Sequence, residues 1–309
     1  MILITEFMDD GAVADLSAQF DVTYAPDLAD RQQDIPALMP GKRALIVRNR
    51  TRVTADLLSG SDDLCVVGRL GVGLDNIDQA ACKDRRVAVI PATGANTVSV
   101  AEYVVTNALI LLRNAYQAQD RMLAGAWPRT DCAGREVGGK LLGLIGFGEI
   151  AQETARLAVG LGMQVCAHDP FVPPASPAWQ QAQPVSLETL LETADVVSLH
   201  VPLLDTTRHM INADTLGRMK AGSVLINAAR GGVVDETALV QALRADGGIA
   251  GAALDVFETE PLDRQAAEKF AGLGNLVLTP HIAGVTEESN ARVSRLIAQK
   301  VAEKLTSDS

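Results

Sequence analysis

Cysteine is scarce: Cys65, Cys82, Cys132 and Cys166 lie far apart, with no CxxC pair or Cys/His cluster. That spacing speaks against a disulfide framework or zinc site and for buried free thiols, so no metal is expected. Long apolar runs are missing too. The longest helix-like one is "YVVTNALILL" at 103–112, well short of the roughly 20 residues that cross a bilayer, and it reads as a buried core helix. The N-terminus "MILITEFMDD" has no basic n-region and no small-residue cleavage site, so the expectation is a cytoplasmic location with no membrane partner. Positive charge is in deficit. A net charge of −11 leaves no basic face for phosphate backbones and argues against a nucleic-acid partner. Any anionic substrate must therefore be drawn in by a local cationic pocket. Histidine is rare as well, with only His168, His200, His209 and His281.

What is present points to an α/β protein. A length of 309 residues suggests about two domains, and 48% hydrophobic with 21% charged residues suits a globular chain. Short β-branched runs at 2–5, 21–25, 44–49, 65–70 and 87–92 alternate with helix-like segments. A long helical pattern over about 97–119 leads to a second series at 141–147, 164–169, 196–200, 223–229, 249–256 and 275–280. Near-continuous apolar strands between helices are what a parallel sheet covered on both faces requires, so two such sheets are expected. The Pro-rich stretch at 169–177 reads as a surface loop, and about 287–305 as a final helix that returns to the first domain.

"GLIGFGEIA" at 143–151 follows a strand and opens a helix. In it Gly146 permits the tight turn, Gly148 lets backbone approach a pyrophosphate, and Ala151 is the small residue needed for helix–strand packing. The pyrophosphate would meet unpaired N–H groups where the helix begins near Glu149, whose own carboxylate must turn outward. The next strand ends at Asp169, 21 residues after Gly148, where an acid is expected on the adenosine ribose hydroxyls. A carboxylate there repels a 2′-phosphate, so the expected cofactor is NAD rather than NADP.

Ligands of open parallel sheets bind beyond the carboxyl ends of the strands. Three segments there break from an apolar strand into a turn with charged or titratable groups: "INAARGG" with Arg230, "ALDVFETEPL" with Asp255 and Glu260, and "LTPHIAG" with His281. Together they suit a 2-hydroxy or 2-oxo acid. Arg230 would hold the carboxylate through its planar fork. His281 would exchange the hydroxyl proton as hydride leaves or reaches C2. Glu260 would fix the imidazole tautomer. Taken singly, each has a plainer reading as a surface ion pair or packed loop residue. His168 and His200 read as lining the adenine side of a cofactor cleft, and His209 as a surface residue.

The stretches "GRLGVGLDNID" (68–78), "NTVSVAEYVV" (96–105), "GLIGFGEIA", "LHVPLLDTTRHMIN" (199–212), "NAARGGVVDE" (227–236), "GAALDVFETEPL" (251–262) and "LTPHIAG" (278–284) resemble the D-isomer-specific 2-hydroxyacid dehydrogenase family, in family order. The resemblance implies two doubly wound parallel-sheet domains: a discontinuous flavodoxin-like substrate domain, 1–97 plus 286–309, and an NAD-binding Rossmann domain, 98–285. It implies Arg230, Glu260 and His281 as the catalytic set. For the substrate it adds Arg48, Asn49 and the backbone of Val72 and Gly73. For the cofactor it implies the glycine turn (Gly146, Gly148, Glu149, Ile150), Asp169 and the segment His200, Val201, Pro202 and Thr207. It further implies Ala228, Ala229, Arg230, Asp255, His281, Ala283, Gly284 and Val72. A homodimer joined through the cofactor domains is usual, which fits an exposed-looking arm at 113–140.

Within the family, "LIVRNRTRV", "RLGVGLDNID", "AGAWPR" and "TPHIAGVTEESNARVS" are most similar to the sulfolactate dehydrogenase subgroup. A sulfonate beside the carboxylate calls for a second cation, with Arg48, Arg50, Arg69 and Arg129 as candidates. Phosphoglycerate dehydrogenation and glycerate/hydroxypyruvate reduction are alternatives of the same class. An NAD(H)-sensing binding protein without significant turnover is the alternative of another class.

Overall fold

The computed structural model describes residues 1–114 and 118–307. It divides into two compact units, Met1–Asn96 with Val285–Ser309, and Thr97–Gly284. Unit 1 holds five parallel strands, β1 (Ile2–Ile4), β2 (Val22–Tyr24), β3 (Ala44–Val47), β4 (Val66–Arg69) and β5 (Ala88–Pro91), in the order β2-β1-β3-β4-β5. This is the flavodoxin-like order. Its strands are apolar without alternation because both faces are covered. Ile4, Ile46 and Val66 pack with Ile297, Val301 and Leu305 of the helix Glu287–Ser307. Leu3, Leu45 and Val67 pack on the other face with Leu57, Leu58 and Ile77. Each such fully buried aliphatic side chain contributes about 1.5–3 kcal/mol.

At the point where the strand order of unit 1 reverses, between β1 and β3, lies a buried carboxylate. Glu6 accepts the backbone N–H groups of Arg48 (2.8 Å), Arg50 (3.1 Å) and Thr51 (2.9 Å). Asn76 donates to the Arg48 and Thr51 carbonyls. The loop after β3 is thereby fixed by hydrogen bonds that need no external partner.

Unit 2 holds seven parallel strands, β6 (Leu141–Ile145), β7 (Gln164–His168), β8 (Gln183–Pro184), β9 (Val196–Leu199), β10 (Val224–Asn227), β11 (Gly251–Leu254) and β12 (Leu276–Leu278). Their order is β12-β11-β10-β9-β6-β7-β8, the doubly wound dinucleotide-binding order with one strand added. Successive residues face opposite cores: Ile145, Val197, Leu225 and Ala252 belong to one, Leu144, Val196, Ile226 and Ala253 to the other. The order reverses between β6 and β9, so a crevice opens at the glycine turn.

Three features differ from the sequence reading. The long helix stops at Arg113 rather than about 119, a short helix Gln119–Leu123 follows, and 115–117 lie outside the described residues. The edge strand β8 is two residues long, too short to leave an apolar signature. Of the cysteines, all free, Cys82 and Cys166 are buried while Cys65 and Cys132 are half-buried. Among the described residues no helix is long and apolar enough to cross a membrane, and no His/Cys/Asp/Glu group could hold a metal ion.

Candidate active site

Gly146 ends β6 with φ +87°, and a side chain on it would strike the backbone of His200, its first carbon 2.6 Å from the carbonyl oxygen. Glycine is required there for both reasons. Gly148 is the opposite case: its φ is −76°, and a methyl on it would meet nothing within 4 Å. It caps the helix Glu149–Gly160, whose N-terminus has no side-chain cap, so no side chain there answers the first N–H groups and the positive end of the dipole. Ala151 is fully buried against the sheet, and Glu149 is exposed. Asp169 accepts the Phe147 N–H at Oδ2 (2.8 Å) and the Phe171 N–H at Oδ1 (2.9 Å). This draws the acid against the glycine turn, and each oxygen retains a lone pair for a ribose hydroxyl. Open backbone at Gly148, an uncapped helix and an adjacent carboxylate fit NAD.

His281 follows β12 in the left-handed region, φ +56°, a conformation that costs a residue with a Cβ about 1–2 kcal/mol. Asp255, buried at the end of β11, holds it there. Its carbonyl accepts the His281 N–H (2.8 Å). Its carboxylate accepts the Thr279 hydroxyl (2.7 Å) and the N–H groups of Ile282 (2.8 Å) and Ala283 (2.7 Å). The ring that results points Nδ1 at Glu260 Oε2, 2.7 Å away. An ionised carboxylate only accepts, so Nδ1 carries its proton toward Glu260 and Nε2 of the neutral ring keeps its lone pair. Nε2 makes no hydrogen bond among the described residues. Burial pushes the Glu260 carboxyl up, but hydrogen bonds from His281 and the Phe257 N–H, with the charges of His281 and Arg230, outweigh it. The group is held below the ordinary carboxylate range.

Arg230 lies in the turn after β10, close enough for its charge to act on Glu260. Buried Asn227 shapes that turn, donating to the Arg230 carbonyl (3.0 Å) and accepting the Ala229 N–H (3.1 Å). Gly231 then presses on the loop bearing Glu260, where a Cβ would lie 1.7 Å from the Phe257 carbonyl oxygen. The same loops are joined again further on. The Glu258 N–H donates to Glu236 Oε1 (2.7 Å), and the Glu236 N–H to Glu258 Oε1 (3.3 Å). Lys269 pairs with both carboxylates, and His209 Nε2 lies 3.1 Å from Glu258.

The other expected residues are placed as follows. His200 bonds Ser198 through Nε2 (3.0 Å), and burial pushes its ring down to about 4. Val201 packs beside Gly146. Thr207 is committed to its own loop, donating to the Pro202 carbonyl (2.6 Å) and accepting the Leu204 N–H (2.8 Å). Ala228 and Ala229 pack on opposite cores, and Ala283 is buried. His168 Nδ1 faces the Val185 carbonyl (3.1 Å). Exposed His209 engages Glu258 rather than standing idle. In unit 1, Val72, Gly73 and Asn49 lie on loops after β4 and β3, and Arg48 donates to the Asn290 side-chain oxygen (2.7 Å).

Sequence reasoning did not single out Asn227, Glu236, Glu258 or Thr279 as organisers of these loops. Asn227, Glu236, Glu258 and Thr279 all stood inside quoted stretches. For Asn227, Glu258 and Thr279 the signal available was a polar residue ending or following an apolar strand, where the backbone must turn and its N–H groups need acceptors; Glu236 opens a helix instead.

The reversal-point crevice with its glycine turn and acid, beside strand ends bearing a histidine–carboxylate pair and an arginine, defines a dinucleotide-dependent dehydrogenase. Residues 105–283 match the family model of the D-isomer specific 2-hydroxyacid dehydrogenase NAD binding domain. The chain belongs to this family and is an NAD-dependent 2-hydroxyacid dehydrogenase. It is 55% identical to the (S)-sulfolactate dehydrogenase of Chromohalobacter salexigens, over 97% of this chain and 96% of that one. Identity to the hydroxypyruvate reductase of Thermotoga maritima is 38%, over 89% and 88% of the two chains. The D-lactate dehydrogenase of Aquifex aeolicus, solved with NAD and lactic acid, superposes with a TM-score of 0.87 at 28% identity, covering 100% of this chain and 96% of that one.

Proposed function

We propose that His281 is the proton-transfer group, Glu260 its orienting carboxylate and Arg230 the anchor of the substrate carboxylate, and that the substrate is sulfolactate, with sulfopyruvate as product. The observation that carries the catalytic reading is the 2.7 Å contact between His281 Nδ1 and Glu260, which leaves Nε2 as the ring's free base. Held at the Gly146–Glu149 turn and Asp169, NAD would supply the hydride acceptor for C2. His281 Nε2 takes the proton from the C2 hydroxyl, and the imidazolium so formed is stabilised by ionised Glu260. In the reverse direction the same nitrogen returns the proton to the carbonyl oxygen. Arg230 holds the carboxylate through two parallel N–H bonds, which orients C2 as well as binding it.

For the substrate, support comes from the similarity to the C. salexigens enzyme along nearly the whole of both chains. The candidate second cations differ in their surroundings. Arg50 is paired with Asp30, and Arg129 is exposed. Arg69 donates to the Leu70 carbonyl. Arg48 is drawn out of water, which pushes its guanidinium below the ordinary arginine range despite the nearby Glu6 charge, and it bonds a neutral amide oxygen. A half-buried cation of that kind suits an anionic group. We assign the enzyme to the cytoplasm as a homodimer joined through unit 2, where Leu123 and Trp127 on the arm are 80% and 78% exposed.

The test is NADH formation from sulfolactate, 3-phosphoglycerate, glycerate and lactate side by side. Sulfolactate is expected to give the highest kcat/KM. Turnover of none of them by protein that binds NADH would favour the dinucleotide-sensing reading. His281→Ala is expected to lose at least about 100-fold in kcat while binding NADH normally; near-normal kcat would remove His281 from proton transfer.

A further inference from the structure

We propose that Tyr103 and Thr279 are positioning residues for His281, acting through Asp255. The inference rests on the reading of His281 as the proton-transfer group. Tyr103 lies on the helix Thr97–Arg113, and its hydroxyl is 2.6 Å from the Thr279 hydroxyl, two residues before His281. Thr279 in turn donates to Asp255 Oδ1 (2.7 Å).

Proton counting fixes the direction of this chain. The Asp255 carboxylate already takes the N–H groups of Ile282 and Ala283, so it accepts from Thr279 as well. A threonine has one hydroxyl proton, and here it is used on Asp255. In the 2.6 Å contact the phenol must therefore be the donor. Burial pushes the Tyr103 hydroxyl up to about 12, so it carries that proton at neutral pH.

The order Tyr103 to Thr279 to Asp255 ends at the carboxylate that fixes residues 279–283. His281 sits in the middle of that segment with its N–H on the Asp255 carbonyl and a left-handed φ of +56°. Loss of the Thr279 hydroxyl leaves buried Asp255 Oδ1 with one donor fewer and the half-buried phenol without its acceptor. The ring is then free to leave the line from Glu260 to the substrate hydroxyl. Tyr103→Phe removes only the outer link, so its effect must be the smaller.

The experiment compares Thr279→Val, Thr279→Ser, Tyr103→Phe and His281→Ala for the pre-steady-state rate of NADH formation and for NADH Kd by fluorescence. Thr279→Val is expected to lower the rate about tenfold with NADH Kd within about twofold of the parent. Tyr103→Phe is expected to cost less, and Thr279→Ser to restore the rate because serine keeps the donor. A Thr279→Val rate within twofold of the parent overturns the proposal. So does a loss of NADH affinity in step with the rate, a serine variant as slow as the valine one, or a Tyr103→Phe loss exceeding that of Thr279→Val. His281→Ala separates the two levels: if it keeps its rate, the underlying reading fails, whereas if it alone is slow, only the positioning role fails.

Discussion

Alanine at Gly146 and at Gly148 should separate folding from cofactor binding. At Gly146 the methyl must enter the left-handed region, φ +87°, at about 1–2 kcal/mol. It must also displace the His200 backbone, whose carbonyl oxygen and carbon lie 2.6 and 2.9 Å from where it would sit. Neither atom can swing away as a side-chain end would, and such overpacking adds about 1–3 kcal/mol. The sum is roughly 3 kcal/mol, which for a unit of this size lowers Tm by on the order of 10 °C. At Gly148 the φ of −76° suits any residue and the surroundings are open. The folded chain then loses only the difference between glycine and alanine as a helix N-cap, about 0.5–1 kcal/mol. If the pyrophosphate of NADH approaches the backbone at Gly148, as a dinucleotide-binding turn requires, Gly148→Ala should raise NADH Kd at least about tenfold. Thermal unfolding by circular dichroism and NADH titration by fluorescence measure the two effects. Gly146→Ala melting within about 2 °C of the parent would refute the packing argument. Gly148→Ala with an unchanged NADH Kd would refute the pyrophosphate one.

Arg230→Lys keeps the charge and loses the fork, so kcat/KM should fall about 10- to 100-fold with NADH Kd unchanged; an unchanged kcat/KM removes Arg230 from substrate binding. His200 is held neutral in the fold, its ring pushed by burial from 6.5 down to about 4. Below pH 6.5 the unfolded chain binds a proton that the folded chain refuses, so stability falls as pH drops from about 6.5 to about 4, by some 2–3 kcal/mol in all. Urea unfolding across that interval should be flatter for His200→Gln, and parallel slopes for the two proteins would contradict the assignment.

The sheets were legible in the sequence because two-sided burial writes each strand as an unbroken apolar run. The glycine turn was legible at Gly146, where a left-handed φ and the crowding of the His200 backbone restrict residue type directly; at Gly148 the fold itself sets no such limit. β8 was not, because two residues at a sheet edge bury too little to leave a pattern. The end of the long helix was missed although Asn114, left-handed at φ +50°, is of the type that ends helices next after glycine, because the apolar pattern around it gives no break. The organisation around His281 was hidden for a different reason. Asp255 reads from sequence as one more acid at a strand end, and only the fold brings residues 24 to 28 positions later onto its carboxylate. The reciprocal bonds between Glu236 and Glu258 are of the same kind, for a pair of carboxylates in sequence suggests repulsion until Lys269 is set between them.

Glu6 has a bearing on stoichiometry. Unit 1 is built on a topology that elsewhere places an anionic cofactor at its reversal point, yet the three N–H groups facing that point are already occupied by a carboxylate from the same chain. The protein supplies its own anion there, tethered in the same chain, so a calorimetric titration with NADH should saturate at one equivalent per chain.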